Sequence, residues 1–162
     1  MERALALIVV IVLNVIGWPI IHMLISKLAF QKSLSDFESP RWYLQTFAWE
    51  NRGRFYERYL KVKQWKKLLP DGAKILGHSF SKNSVRSKDP AYLKEFVLET
   101  KRGEWAHWLT ICCAPIFFIW NPLWADMVMV GYALVANLPC IIAQRYNRQV
   151  IERMLARKRR LQ

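Results

Sequence analysis

Three long apolar stretches in a chain of 162 residues constrain its fold more than any other feature. Residues 4–28 are apolar apart from Asn14, His22, Ser26 and Lys27. As a helix this run can cross a hydrocarbon core of about 30 Å. Residues 105–120 and 123–143 supply a second and a third stretch, separated by Asn121-Pro122. Proline cannot continue a helix and biases its predecessor away from helical geometry, so the pair reads as a hairpin. Asp126 sits close enough to the turn to reach water. The expectation is an all-α integral membrane protein in one domain, 1–162, with about three transmembrane helices plus interfacial amphipathic helices. A cleaved signal peptide is the rival reading of 4–28. The run is long for one and the basic residues follow it, which favours an uncleaved anchor.

The distribution of charge supports a membrane setting. Hydrophobic residues make up 53% of the chain, yet its formal net charge is +13. Residues 27–104 carry 17 Lys/Arg against 9 Asp/Glu, and residues 144–162 carry 7 against 1. The hairpin turn carries neither Lys nor Arg. By the positive-inside rule the middle segment and the C-terminus are cytoplasmic and the N-terminus is outside. Because the basic residues flank apolar spans, anionic lipid is the favoured partner over nucleic acid. Cys112, Cys113 and Cys140 all fall in apolar stretches, where thiols act as small hydrophobes, and an odd count argues against a disulfide framework.

The middle segment, 30–103, interleaves Trp42, Tyr43, Phe47, Trp49, Phe55, Tyr56, Tyr59 and Trp65 with Arg and Lys. Such a segment suits the interface plane of a bilayer. Residues 53–69 read as one loosely amphipathic helix, interrupted on its apolar face by Lys66. Pro70-Asp-Gly72 stops it, and 77–90 reads as loop. Leu93, Phe96, Val97 and Thr100 restore helical spacing, which leads directly into the second span. Residues 144–162 read as a basic tail.

Candidate chemistry collects where two polar blocks meet at one end of the hairpin: Glu99-Thr-Lys-Arg-Gly-Glu-Trp-Ala-His107-Trp108 and Gln144-Arg-Tyr-Asn-Arg148. His107, one turn inside the second span, can act as a base near neutral pH. Glu104 lies three residues before it on the same helix, placed to orient an imidazole nitrogen, and Glu99 and Arg102 form a second such pair. The competing reading is an interfacial ion-pair network that anchors the helix. On the third span Asn137, Gln144 and Arg148 share a face. Asn137, polar at hydrocarbon depth, serves either a helix–helix hydrogen bond or a substrate. Arg145 and Arg148 suit phosphate or carboxylate binding, and equally suit a cytoplasmic anchor. Asn147 and Trp108 complete the candidate substrate contacts. Asn14 and His22 read as packing and hydrogen-bonding residues.

No metal site is expected, since Glu104-x-x-His107 lacks a second His at short spacing and the cysteines are not spaced as ligands. No bound cofactor is expected either: the sequence contains no phosphate-binding Walker loop, dinucleotide fingerprint or Gly-x-Ser-x-Gly elbow.

Several strings occur together in order: Phe47-Ala-Trp-Glu50 with Gly53-Arg-Phe-Tyr56, Val62-Lys-Gln-Trp-Lys66, Leu69-Pro-Asp-Gly72, Glu99-Thr-Lys-Arg102 with Glu104 and His107-Trp108, and Asn137-Leu-Pro139 with Gln144-Arg-Tyr-Asn-Arg148. Over about residues 40–150 this resembles the glycosyl-4,4'-diaponeurosporenoate acyltransferase family of bacterial membrane proteins. The resemblance implies transfer of a fatty acyl group to a sugar hydroxyl of a glycosylated carotenoid acid, in a multi-pass protein of the bacterial cell membrane. Two departures from the carotenoid enzyme stand out: residues 77–90 differ, and Gln149 stands where that enzyme has a proline. Another glycolipid acceptor is therefore compatible with the sequence.

The resulting mechanism has His107, oriented by Glu104 or Glu99, deprotonate an acceptor hydroxyl that attacks acyl-CoA or a similar thioester. Arg102, Gln144 or Asn137 stabilises the oxyanion, and Arg145 and Arg148 hold phosphates or a head group. The alternative is a non-catalytic membrane subunit that docks a lipid- or carotenoid-modifying enzyme through the aromatic segment. A lipid-binding or lipid-moving role is weaker, because three short spans enclose little pathway. The acceptor, the donor and the oligomeric state are open at this level.

Overall fold

The computed structural model describes residues 2–69, 87 and 89–160, and every regular element among them is helical. The α-helices are α1 (Glu2–Gln31), α2 (Arg54–Arg58), α3 (Val62–Trp65), α4 (Pro90–Cys112) and α5 (Leu123–Arg159). Short 3-10 helices at Leu34–Phe37, Trp42–Leu44 and Ala48–Gly53 carry the chain from α1 to α2. Among the described residues two helices, rather than the expected three, are long and apolar enough to cross a membrane: Ala4–Gln31 within α1, and α5.

The missing span has a local cause. Helix α4 starts well before the apolar stretch, at Pro90, behind an Asp89 carboxylate that accepts from the Ala91 and Tyr92 backbone N–H groups at 3.1 Å. Proline at the first helical position and Asp at the N-cap are both favourable there. Pro115 has no N–H to give the Ile111 carbonyl, so α-helix ends at Cys112 and 3-10 geometry takes over at Ala114–Ile119. The second apolar stretch is thus a short α-helical end followed by a tighter coil. Helix α5 starts after Pro122 and continues unbroken to Arg159, so the segment expected as a tail is helix.

The helix expected over 53–69 also breaks. Lys61 takes a left-handed conformation, φ 48°, and separates α2 from α3. The expected stop at Pro70-Asp-Gly72, and nearly all of the expected loop at 77–90, lie outside the described residues.

Helix α1 packs on the hairpin through its middle. Gly17 permits the approach, since a Cβ there would lie 2.9 Å from the Phe117 ring. Trp18 stacks on Phe117 at 4.8 Å between centroids and meets Tyr132 at 5.0 Å. At the turn, Asn14 Nδ2 donates to Asn121 Oδ1 at 2.9 Å. Asn14 Oδ1 accepts from Asn121 Nδ2 and Trp120 Nε1, each at 3.0 Å. At the far end of α1, the Arg102 guanidinium lies over the Phe30 ring at 4.8 Å. Between Asn14 and Phe30 the helix rises about 24 Å. Residues 4–13 therefore run past the turn for about 15 Å more, their apolar side chains largely exposed. Asp126, expected to reach water beside the turn, is instead buried at 4% exposure, because α5 turns that face into the bundle.

Replacing Asn14 by Leu orphans the Asn121 amide and the Trp120 indole N–H in a largely apolar setting. Each such loss costs about 1–3 kcal/mol. Asn14→Leu should lower the thermal midpoint of the detergent-solubilised protein by several degrees; an unchanged midpoint would show that the turn needs no polar latch.

Candidate active site

The polar end of the hairpin is built around one guanidinium. Arg145 Nε donates to Glu50 Oε1 at 2.7 Å and to the Tyr56 hydroxyl at 3.2 Å. Its Nη1 donates to Glu104 Oε1 at 2.6 Å and to the Tyr43 carbonyl at 3.2 Å, and its Nη2 to the Gln45 carbonyl at 2.7 Å. Glu50 in turn accepts from the Tyr56 hydroxyl and, through Oε2, from the Phe47 N–H at 2.7 Å. Both carboxylates are fully buried. Burial, and after it the bond to Glu50, pushes the Tyr56 hydroxyl pKa above its ordinary value, so Tyr56 stays a neutral donor. Arg148 Nη1 lies 2.7 Å from Glu104 Oε2, an ion pair whose atoms are not aligned for a hydrogen bond. Two carboxylates thus face two guanidiniums inside the protein. Beside them Glu99 and Arg102 pair at 2.6 Å, as their spacing predicts.

The rest of the Gln144–Arg148 block fastens the middle segment. Tyr146 donates to Glu57 at 2.9 Å, and Lys66 donates to Asn147 Oδ1 at 2.6 Å while lying over the Tyr146 ring at 4.9 Å. Burial, with repulsion from Lys63 and Lys67, lowers the Lys66 pKa. Tyr56, Val62 and Tyr146 pack together beneath these bonds, flanked by Phe55 and Trp65. Lys66, which interrupts an apolar stripe in the sequence, is a specific contact to α5.

His107 lies deeper and is half-buried. Its Nδ1 is 2.9 Å from Asn137 Oδ1. Asn137 is fully buried, and its Nδ2 donates to the Ala133 carbonyl at 2.9 Å. The carbonyl can only accept, so this bond fixes which way the Asn137 amide faces. The amide oxygen is then left to face the imidazole, and Nδ1 must carry the hydrogen. Neutral His107 therefore keeps its lone pair on Nε2. Trp108 Nε1 donates to Glu104 Oε1 at 3.4 Å. Gln144 Oε1 is buried without a hydrogen-bond partner.

The residues singled out in the sequence thus do not form one site. Glu104, Arg145 and Arg148 join one charge cluster, to which Trp108 donates and beside which Asn147 meets Lys66. His107 and Asn137 form a separate dyad, Glu99 and Arg102 pair with each other, and the Gln144 Oε1 joins none of these. Glu50, Tyr56 and Lys66 were present in the quoted strings and Glu57 follows directly on one, but nothing in their spacing tied them to Arg145, Tyr146 and Asn147, which lie some 80 to 95 residues away. Among the described residues no group of His, Cys, Asp and Glu is arranged to hold a metal ion.

A family model described as glycosyl-4,4'-diaponeurosporenoate acyltransferase matches residues 40–157. Proteins of that name from Staphylococcus aureus strains MRSA252 and USA300 are 28% identical to the chain over 138 residues, covering 85% of it and 83% of each relative. No solved structure matches.

Breaking a buried pair leaves an uncompensated charge and costs about 3–5 kcal/mol. Glu104→Gln should therefore lower the yield and thermal midpoint of the folded protein, as should Glu50→Gln. A Glu104→Gln protein of normal stability but low activity would instead make Glu104 a reacting group.

Proposed function

The chain belongs to the glycosyl-4,4'-diaponeurosporenoate acyltransferase family and is an acyltransferase, and we propose that it moves a fatty acyl group onto a hydroxyl of a glycosylated lipid with His107 as general base. A glycosyl carotenoid acid is the acceptor that the relatives' name supplies. The observation that carries this reading is the Asn137 amide, held by the Ala133 carbonyl so that its oxygen takes the Nδ1 hydrogen of His107. A base needs its lone pair on a defined nitrogen of a fixed ring, and a hydrogen held on Nδ1 puts the lone pair on Nε2.

In the reaction, Nε2 takes the proton of the acceptor hydroxyl as the oxygen bonds to the carbonyl carbon of an acyl thioester, acyl-CoA or a similar donor. The carbonyl electrons move to oxygen, and the amide N–H of Gln144 or the Arg102 guanidinium meets that charge. When the electrons return, the C–S bond breaks and the thiolate recovers the proton from His107. Glu104 acts at one remove, holding α4 against α5 through Arg145 and Arg148, and Glu99 holds Arg102. With Arg145 engaged at all three nitrogens, head-group or phosphate binding falls to other residues. Trp108 and Asn147 border the dyad and the charge cluster.

The lipid bilayer is the setting. With the N-terminus outside, α1 brings the chain to the cytoplasmic face, and α4 and α5 dip in and return, leaving the basic middle segment and the end of α5 in the cytoplasm. The acceptor then enters from lipid and the polar donor from water, meeting at the depth of His107.

General-base catalysis is worth about 10²–10⁴-fold, so His107→Ala should lose acylation by that factor while folding normally. Wild-type turnover by that variant would remove His107 from the mechanism. Asn137→Ala should also slow turnover, whereas Asn137→Asp keeps an acceptor for the Nδ1 hydrogen and should recover part of it. An aspartate beside the imidazole favours its protonated form, so the acid limb of the pH–rate profile should move to higher pH. A limb that stays in place, or moves to lower pH, would separate Asn137 from the base.

A further inference from the structure

Beyond the charge cluster, where α5 leaves the bundle, lies a second polar site. The Ala48–Gly53 turn carries three consecutive left-handed residues, Asn51, Arg52 and Gly53, with φ of 46°, 52° and 87°. Glu50 is drawn inward to Arg145, while the side chains of Asn51 and Arg52 are exposed. Gly53 lets this turn lie against α5, for a Cβ on it would meet Gln149 Cβ at 3.4 Å. Between the turn and the end of α5 opens a basin of about 510 Å³, lined among others by Arg52, Gln149, Glu152, Arg153 and Arg160. That volume is in the range of small-molecule sites.

Two features of the lining point to a ligand. Three guanidiniums face one carboxylate. Arg153 leans on Glu57 at 3.4 Å, but Arg52 and Arg160 make no ion pair among the described residues. Gln149 is 1% exposed, yet neither its Oε1 nor its Nε2 has a hydrogen-bond partner. A buried amide with both ends unmet is costly and rare in a finished structure. It can be met by a ligand that brings a polar group into the basin, and the arginines then favour one carrying negative charge. Forked guanidiniums suit phosphate oxygens in particular.

We propose that this basin binds a phosphate ester, the phosphorylated end of the acyl donor, with Arg52, Arg153 and Arg160 on the phosphates and the Gln149 amide on a neutral polar group beside them. The donor assignment rests on the acyl-transfer reading above; the phosphate site does not. Gln149 follows Asn137 on α5 by a rise of about 18 Å. A thioester whose phosphates are separated from its sulfur by a pantetheine arm would bridge that interval.

The test is binding of desulfo-CoA to the full-length protein in detergent by calorimetry, at low and high salt. Saturable binding that weakens with salt, and falls about tenfold in each of Arg52→Ala and Arg160→Ala, is the expected result. Both side chains are exposed, so the fold should survive their loss. Gln149→Leu should weaken binding with less change in its salt dependence. His107→Ala should bind desulfo-CoA normally while failing to transfer acyl groups, which separates the fate of this site from that of the proposed reaction. Should the arginine variants spare desulfo-CoA but weaken binding of short-chain phosphatidylglycerol, the phosphate comes from a lipid head group and the donor assignment falls. If neither ligand responds to the variants, the phosphate site itself is overturned.

Discussion

One guanidinium holds the polar half of this protein together. Arg145 reaches the Tyr43 and Gln45 carbonyls, Glu50, Tyr56 and Glu104, so two segments distant from it in sequence, 43–56 and the Glu104 turn of α4, converge on it. Each partner alone would be a poor choice for a buried site, because desolvating a carboxylate or a guanidinium costs more than one contact returns. Together Glu50, Glu104, Arg145 and Arg148 balance in charge, with Arg145 hydrogen-bonded to both carboxylates and Arg148 ion-paired to Glu104. Such a cluster is worth little as a sum of pairs and much as a condition for assembly. With it, the aromatic, basic segment after α1 folds onto α5, where Tyr56, Val62 and Tyr146 close into a small core.

The same constraint explains what could be read in the sequence and what could not. Apolar runs, the Asn121-Pro122 turn and the Glu99–Arg102 pair depend on neighbours within a few residues, and all are legible. The number of membrane-length helices was overestimated because hydropathy counts apolar residues and ignores where a helix can propagate. Pro115 was in view, but its effect is on the Ile111 carbonyl rather than on hydropathy. Lys61 is harder: nothing in its side chain announces a left-handed backbone, and only the packing of α3 against α5 requires it.

At the candidate site, Glu104-x-x-His107 looked like a pair because local spacing is all that a sequence displays. Glu104 answers instead to Arg145 and Arg148, which are 41 and 44 positions further along the chain. The ion-pair network that the sequence offered as the competing reading is present, and it does not use His107: the imidazole meets Asn137 on the adjacent turn of α4. Asn137 was legible as a polar residue at an apolar depth, but its task depends on the Ala133 carbonyl one turn away, which every helix possesses and no sequence marks.

The depth of the hairpin gives this arrangement its chemical sense. If α1 spans the hydrocarbon with residues 4–28, the Asn121 turn, level with Asn14, stops short of the far surface by about 15 Å. A hairpin that entered and returned on one side would need its tip satisfied internally, because hydrocarbon offers backbone and amide groups no partners. The reciprocal Asn14–Asn121 bonds and the Trp120 N–H meet that need, and Ile119, Leu123 and Trp124 around the tip are apolar and exposed. His107 would then lie closer to the mouth than to the tip. In such a setting, dipoles aimed at a developing charge would act with less screening than in water. Glu50, Glu104, Arg145 and Arg148 cancel one another's charge at the open end of the hairpin, and in doing so tie the middle segment, α4 and α5 together there.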